Sequence, residues 1–374
     1  MSTLEARTQS RQEDGACHVM VVDDSAVIRG YIRRLLQETD GIEVVASAGN
    51  GQAAIDALKK NPVDVIILDI EMPVLDGLSA LPKLLEVDPT VKIIMASTLT
   101  VANADISLKA LSAGAVDYIA KPTSTAELHS AEDFKRDLSS KVVALAGARR
   151  RTRAPRTSLA AAPKAASLYA GPVETRAPSR IPPTILAIGS STGGPQALMT
   201  FIRGLGDDFD LPIVVTQHMP ATFTGILAKH LADSCHRDFR EASDGDLIKA
   251  GCGYVAPGDY HMLVNSGANG PVVKLTQTPP ENFCRPSVDP MLRSLVGTYG
   301  AKTLVVILTG MGHDGLEGGR AIVDGGGTMI AQDEETSVVW GMPGAVATAG
   351  VCAAVLPLND LAGQVRKLCG KAGL

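Results

Sequence analysis

Apolar and polar positions along this chain fall into blocks with two periods. Mainly apolar stretches at 18–22, 43–48, 63–68, 92–96 and 115–120 are too short for helices and read as buried strands. Between them the apolar residues recur at helical spacing. Ser25 is a fair N-cap, and Val27, Ile28, Tyr31, Ile32, Leu35 and Leu36 form one face behind it. A second helix is expected over 52–60 and a final one over 127–144. Strands that alternate with helices predict a parallel, doubly wound sheet.

Periodicity stops near Gly147. Arg149, Arg150, Arg151 and Arg153 are followed by Ala, Pro and Ser without a repeat, so 147–183 reads as a flexible linker with a solvated basic run. The pattern resumes at 184–188, an apolar run that ends abruptly in Gly189-Ser190-Ser191-Thr192-Gly193-Gly194-Pro195. Leu198, Phe201, Ile202 and Leu205 then mark a helix, giving strand, tight turn, helix. Further strands are expected at 211–216, 254–255, 272–276 (as part of a hairpin), 304–309 and 328–331, with helices at 223–232 and 316–324. This is a second parallel α/β pattern. The chain therefore divides into a disordered leader 1–16, an α/β domain 17–146, the linker 147–183 and a second, mainly parallel α/β domain 184–374.

Composition narrows the classes. Aromatic residues are only 3% of the 374, so Val, Ile, Leu and Ala must build the cores. A net charge of −5 gives no argument for nucleic-acid binding. The six cysteines are scattered without a C-x-x-C pair, which argues against zinc or a disulfide framework and for a reducing compartment. The first fifteen or so residues are too polar for a signal peptide, and no run approaches the ~20 apolar residues of a membrane span. A cytoplasmic protein, not inserted in a membrane, is expected.

Chemistry-bearing residues gather where strands end. In the first domain Asp23, Asp24, Asp69, Ser97 and Lys121 all follow the carboxyl ends of strands, where an open parallel sheet forms its ligand crevice. Any one of them alone reads as a turn or cap residue. Together, three carboxylates repel one another and call for a hard cation such as Mg²⁺, while Lys121 adds positive charge; such a site suits a phosphoryl group with an aspartate acceptor. Val21-Val22-Asp23-Asp24-Ser25, the run from Leu68-Asp69 to Asp76-Gly77, Ser97-Thr98 and Lys121-Pro122 resemble a response-regulator receiver domain. The resemblance implies a flavodoxin-like five-stranded sheet of order 2-1-3-4-5. It implies Asp69 as phosphoacceptor and Asp23, Asp24 and Asp69 as Mg²⁺ ligands. It also implies Ser97, in preference to Thr98, as the switch hydroxyl and Lys121 as the phosphate-contacting cation. Asp76-Gly77 reads as turn chemistry.

In the second domain Gly189-Ser190-Ser191-Thr192-Gly193 fits G-x-S-x-G, a serine on a strand-to-helix turn. A phosphate-binding loop or a plain tight connection fits the same stretch. Ser191, His218 and Asp314 each follow a predicted strand, and a serine nucleophile needs an imidazole that a carboxylate in turn orients. The order Ser…His…Asp is not that of α/β-hydrolases. His261 and His313 are rival bases, Ser190 is a rival nucleophile, and His230 and His236 read as exposed.

Four stretches, 188–195, 216–220, 255–258 and 308–315, together with the two-domain arrangement, resemble the chemotaxis protein-glutamate methylesterase (CheB) family. The resemblance implies Ser191 as nucleophile, His218 as general base and Asp314 as orienting carboxylate. Ser190 stands where the family often has alanine, and His313 where it often has asparagine. The central place of Ser191 in the motif favours it over Ser190. Met311 offers a backbone N–H to an oxyanion, and Thr192 is expected to cap the helix or orient Ser191. No cofactor is expected in this site. The implied activity is phosphorylation-activated hydrolysis of glutamyl methyl esters, with methanol released, and deamidation of glutamines, on methyl-accepting chemotaxis receptors. A chemotaxis histidine kinase would be the phosphodonor. A binding module without catalysis and a small-molecule esterase are the competing readings.

Overall fold

The computed structural model describes residues 15–98, 100–121, 128–153, 173–235 and 237–370. Two compact units result, Met1–Ala161 and Ala162–Leu374.

The first unit holds β1 (Cys17–Val22), β2 (Ile42–Ala48), β3 (Val65–Asp69), β4 (Lys92–Ser97) and β5 (Asp117–Ala120), all parallel in the order β2-β1-β3-β4-β5. The parallel sheet is the one the apolar runs predict, and its order is the one the receiver resemblance implies. Strands β1, β3, β4 and β5 are almost wholly buried, as a parallel sheet covered by helices requires, whereas edge strand β2 buries only Ile42 and Ala48. The helices are α1 (Ala26–Gln37), α2 (Gly51–Leu58), α3 (Gly77–Val87), α4 (Val101–Ser112) and α5 (Leu128–Arg153). Ser25 caps α1 as expected, its side chain accepting from Ile28 N–H. Val27 does not join the apolar face: it is 79% exposed, while Ile32, Leu35 and Leu36 one turn or more further along are buried.

Helix α5 also departs from expectation. It does not fade near 144 but runs to Arg153. The reason is Arg149, only 1% exposed. Its guanidinium donates to the Val63 carbonyl, to Asp64 and Asp88, and to Thr90 Oγ1 at 3.2 Å. Arg150 donates to the Gly15 carbonyl at 2.9 Å. Part of the basic run is thus an internal tie, with its acceptors 59 to 86 residues away for Arg149.

The second unit is a seven-stranded parallel sheet of order β14-β13-β12-β6-β7-β9-β8. Its strands are β6 (Ile185–Ser190), β7 (Ile213–Gln217), β8 (Asp238–Glu241), β9 (Cys252–Val255), β12 (Thr303–Ile307), β13 (Thr328–Gln332) and β14 (Ala354–Leu356). The predicted hairpin is β10 (His261–Gly267) with β11 (Gly270–Thr276), antiparallel. Around these lie α6 (Gly194–Leu205), α7 (Ala221–Cys235), α8 (Val288–Thr298), α9 (Leu316–Asp324), α10 (Met342–Thr348) and α11 (Leu358–Leu368). The core between sheet and α8 joins Ile185, Val305 and Ile307 to Val288, Met291 and Leu292. Strands β12, β6 and β7 are neighbours, so their carboxyl ends share one edge. The sequence pattern drew no element at β8, α8, α10, β14 or α11. Strand β8 reads Asp-Phe-Arg-Glu, an edge strand with one buried side chain, and β14 is three residues long.

Candidate functional site

In the first unit the expected acidic pocket is assembled. Asp23 and Asp69 are buried, Asp24 is exposed, and carboxylate oxygens of the three lie within 4.8 Å of one another. Lys121 Nζ sits 2.6 Å from Asp23 Oδ2 and 2.5 Å from Asp69 Oδ1. Burial raises the Asp69 carboxyl above its ordinary range. Lys121 opposes this and Asp23 reinforces it. One ammonium among three carboxylates leaves the pocket short of positive charge, and oxygen ligands at this spacing suit a hard divalent ion. A cleft of about 580 Å³ opens beside it, lined by Asp24, Glu71, Met72, Asp76 and Ile106 among others. Asp76 is the N-cap of α3 and accepts from Ser79 N–H, the turn role expected of it. Gly77 permits the close return of the chain, since a Cβ there would lie 1.9 Å from the Asp69 carbonyl oxygen.

Ser97 ends β4, and its carbonyl accepts from Lys121 N–H at 2.7 Å. Its buried hydroxyl meets Ser107 Oγ on α4 at 3.2 Å. Thr98, half-buried, accepts from Asn103 at 2.8 Å.

In the second unit Ser190 pairs with Gln217 across β6 and β7, so the residues that follow, Ser191 and His218, leave adjacent strand ends. Ser190 is fully buried and donates to Gln217 Oε1 at 2.7 Å. Ser191 is half-exposed on the turn. Gln217 Nε2 donates to the Ser191 carbonyl at 3.0 Å, and Ser191 N–H donates to the Thr309 carbonyl at 3.1 Å. The turn is thereby tied to both neighbouring strands. Thr192 does not cap α6. Gly193 holds the N-cap position with φ +75°, where a side chain would be strained.

His218 Nε2 lies 2.7 Å from Asp314 Oδ2. Asp314, 1% exposed, also accepts from Asn282 Nδ2 at 2.8 Å, Ser287 Oγ at 2.8 Å, and the N–H groups of Val288 at 2.6 Å, Asp289 at 3.1 Å and Gly315 at 2.9 Å. Burial opposes ionisation of Asp314, but His218 and these donors outweigh it and hold the carboxyl well below the usual range. For His218, burial favours the neutral ring; Cys284 and Asp314 outweigh it, and the net shift is upward. Asp289 steadies the cluster, accepting from Asn282 at 2.9 Å and from Gly315 and Gly318 N–H at 3.1 and 2.7 Å.

The rivals sort themselves by position. His261 is fully buried, with Nδ1 accepting from Ser287 N–H at 3.2 Å and Nε2 3.2 Å from the Pro279 carbonyl. His313 is exposed. His230 is half-buried on α7 rather than exposed, and His236 lies outside the described residues. The turn after β12 passes against Ser191: a Cβ on Gly310 would come within 2.9 Å of the Ser191 Cβ. Met311 follows in that turn. Asn282, Cys284, Ser287 and Asp289 were not singled out from the sequence. The only local cue is Pro286-Ser287-Val288-Asp289, a helix start with an acidic first turn.

A receiver-type sheet with an acidic pocket, followed by a parallel α/β unit with Ser, His and Asp at one strand edge, defines a response regulator carrying an α/β effector unit. The CheB methylesterase family model matches residues 186–365, and the response regulator receiver domain model matches residues 19–132. Over 366 residues the chain is 54% identical to "Protein-glutamate methylesterase/protein-glutamine glutaminase 1" of Paramagnetospirillum magneticum, covering 94% of this chain and 96% of that one. It is 55% identical to the similarly named protein of Azospirillum brasilense, covering 95% of this chain and 93% of the other. The crystal structure of the Thermotoga maritima CheB methylesterase catalytic domain is 41% identical, covers 50% of this chain and 100% of its own, and aligns with a TM-score of 0.49. The chain belongs to the CheB methylesterase family.

Proposed function

We propose that this protein is a phosphorylation-activated protein-glutamate methylesterase and protein-glutamine glutaminase acting on methyl-accepting chemotaxis receptors. The observation that carries the reading is the His218–Asp314 contact at the strand edge that also bears Ser191. Asp314 is ionised and can only accept, so the His218 proton resides on Nε2 and Nδ1 is the basic nitrogen. Ser191 Oγ attacks the glutamyl ester carbonyl as its proton passes to Nδ1. The Met311 N–H and the amino end of α6 stabilise the oxyanion. His218 returns the proton to the departing methoxide, methanol leaves, and water repeats the sequence on the acyl-enzyme. A glutamine carboxamide follows the same course with ammonia as leaving group.

Control lies in the first unit. Asp69 accepts the phosphoryl group from a chemotaxis histidine kinase, Lys121 balances its charge, and Ser97 is the hydroxyl that responds. Asp23, Asp24 and Asp69 would hold Mg²⁺, which when bound neutralises the incoming phosphoryl oxygens. The reading includes a cytoplasmic location, where thiols stay reduced. Among the described residues no cysteine forms a disulfide, and no helix is long and apolar enough to cross a membrane.

The test is methanol release from methylated receptor membranes by wild type, Ser191→Ala and Asp69→Ala, with and without a small phosphodonor and Mg²⁺. Release should vanish in Ser191→Ala, and stimulation should vanish in Asp69→Ala. Undiminished release by Ser191→Ala would refute the proposed nucleophile.

A further inference from the structure

Both ring nitrogens of His218 are engaged. Nε2 faces Asp314 at 2.7 Å, and Nδ1 lies 3.3 Å from Cys284 Sγ. In the neutral ring, with its proton on Nε2, Nδ1 accepts and the thiol donates. Cys284 therefore occupies the nitrogen that Ser191 must use.

The placement of Cys284 is specific. It sits in the tight turn between β11 and α8, where Asn282 and Phe283 have positive φ and Glu281 and Cys284 exchange backbone hydrogen bonds at 3.2 and 2.9 Å. Asn282 anchors that turn to Asp314 and Asp289. The carboxylate that orients His218 thus also fixes the turn that carries the sulfur. Cys284 is half-exposed, whereas Cys17, Cys235 and Cys352 are buried. A thiol beside an imidazole that a carboxylate orients is a general arrangement for making a nucleophilic sulfur.

We infer that Cys284 is a redox-sensitive thiol controlling the catalytic base, oxidised by hydrogen peroxide to the sulfenic acid with loss of esterase activity. The step balances. The Cys284 proton moves to His218 Nδ1, the sulfur attacks one peroxide oxygen, and the O–O bond breaks. The departing hydroxide takes the proton from His218 and leaves as water. Sulfur is oxidised by two electrons and the peroxide is reduced. The added oxygen lies between the sulfur and Nδ1 and keeps His218 from Ser191. A dithiol reverses it, returning the thiol and water while itself becoming a disulfide.

The inference rests on the Ser191 reading for its effect on activity, but not for the thiol chemistry. The experiment treats full-length protein at neutral pH with hydrogen peroxide. It follows methanol release and, by peptide mass spectrometry, dimedone trapping at each cysteine. Wild type should lose activity as the adduct appears on Cys284, about tenfold faster than on half-exposed Cys252 or Cys369. Dithiothreitol given before dimedone should restore activity. Cys284→Ala and Cys284→Ser should each retain their own starting activity through the same exposure. Equal trapping on the three accessible cysteines, or inactivation of both Cys284 variants at the wild-type rate, would overturn the inference. Ser191→Ala separates the two readings: its Cys284 should still be trapped, while methanol release by untreated Ser191→Ala would sink the esterase assignment alone.

Discussion

Asp314→Asn is the sharpest perturbation of the catalytic edge because the change is nearly isosteric and the carboxylate is saturated with donors. Oδ1 accepts from Asn282, Ser287, Asp289 and Gly315, and Oδ2 from Val288 and His218. The amide must turn its NH₂ toward one of these sets. The cheaper choice is the Oδ2 side, which strands the Val288 N–H and forces His218 to present a lone pair from Nε2. The imidazole proton then moves to Nδ1, the nitrogen that should receive the Ser191 proton. One buried, orphaned N–H and the loss of charge-assisted bonds together cost about 2–4 kcal/mol of stability. The wrong tautomer costs about 10³–10⁴ in kcat, by analogy with the corresponding change in serine proteases. Methanol release across a range of receptor concentrations should show the loss in kcat with KM little changed. Urea unfolding should show a lower midpoint near neutrality. Because the folded carboxyl is depressed, its stabilisation is complete above the unfolded value of about 4 and fades as pH falls toward the folded one, so wild type and variant should converge in acid. A variant that keeps more than about a tenth of wild-type kcat would refute the assigned role of Asp314.

The upward shift of His218 predicts that methanol release keeps climbing with pH beyond the ordinary imidazole range near ~6.5, since the base must be neutral. Its contribution to stability has the opposite sense: present below that value and lost as pH rises through the folded pKa. Cys284 is one cause of the shift, so Cys284→Ala should move the rise in activity to lower pH, and a pH–rate profile measures this. Gly77→Ala should abolish labelling of Asp69 by a radioactive phosphodonor, because a Cβ would overlap the Asp69 carbonyl; normal labelling would contradict the close approach. Arg149→Ala leaves Asp64 and Asp88 without their buried partner and should cost about 3–5 kcal/mol in urea unfolding of the first unit. An unchanged midpoint would mean that the guanidinium adds nothing.

What the sequence disclosed followed from periodicity. Strand ends are legible because an apolar run stops, so Asp23, Asp69, Ser191, His218 and Asp314 could be placed on crevice edges before any pairing was known. The motif already favoured Ser191 over Ser190, and the pairing supplies the physical reason: the Gln217 bond holds Ser190 inside. The donors around Asp314 were illegible for another reason. Asn282, Ser287, Val288 and Asp289 reach it across 25 to 32 residues of chain, through a tight turn whose composition signals only a loop and a helix start. Arg149 misleads in the same way: a charge inside a run of charges reads as solvated, and only distant acceptors can bury it.

The strand order makes a demand that the glycines of the catalytic unit answer. Asp314 follows β12 and His218 follows β7, with β6 between them. Strands lie about 4.8 Å apart, so the two supports stand roughly 10 Å from each other, and the His218–Asp314 contact must reach across the end of β6. That crowds the one position where Ser191 has to stand. The crowding is visible in what side chains would meet. A Cβ at Gly189 would fall within 3.0 Å of Val288 and Ile307, and one at Gly310 within 2.9 Å of Ser191 and 2.4 Å of Met342 Sδ. At Gly194 it would lie 2.0 Å from Gln217 Oε1. Glycine at these positions leaves room for Val288 and Ile307, for Met342, and for Gln217 to pack directly against the turn that carries Ser191. The small residues around Ser191 therefore answer to the side chains packed against the turn as much as to the turn itself. The strand order also explains how a Ser…His…Asp order, unlike that of α/β-hydrolases, can bring the same three groups to one edge.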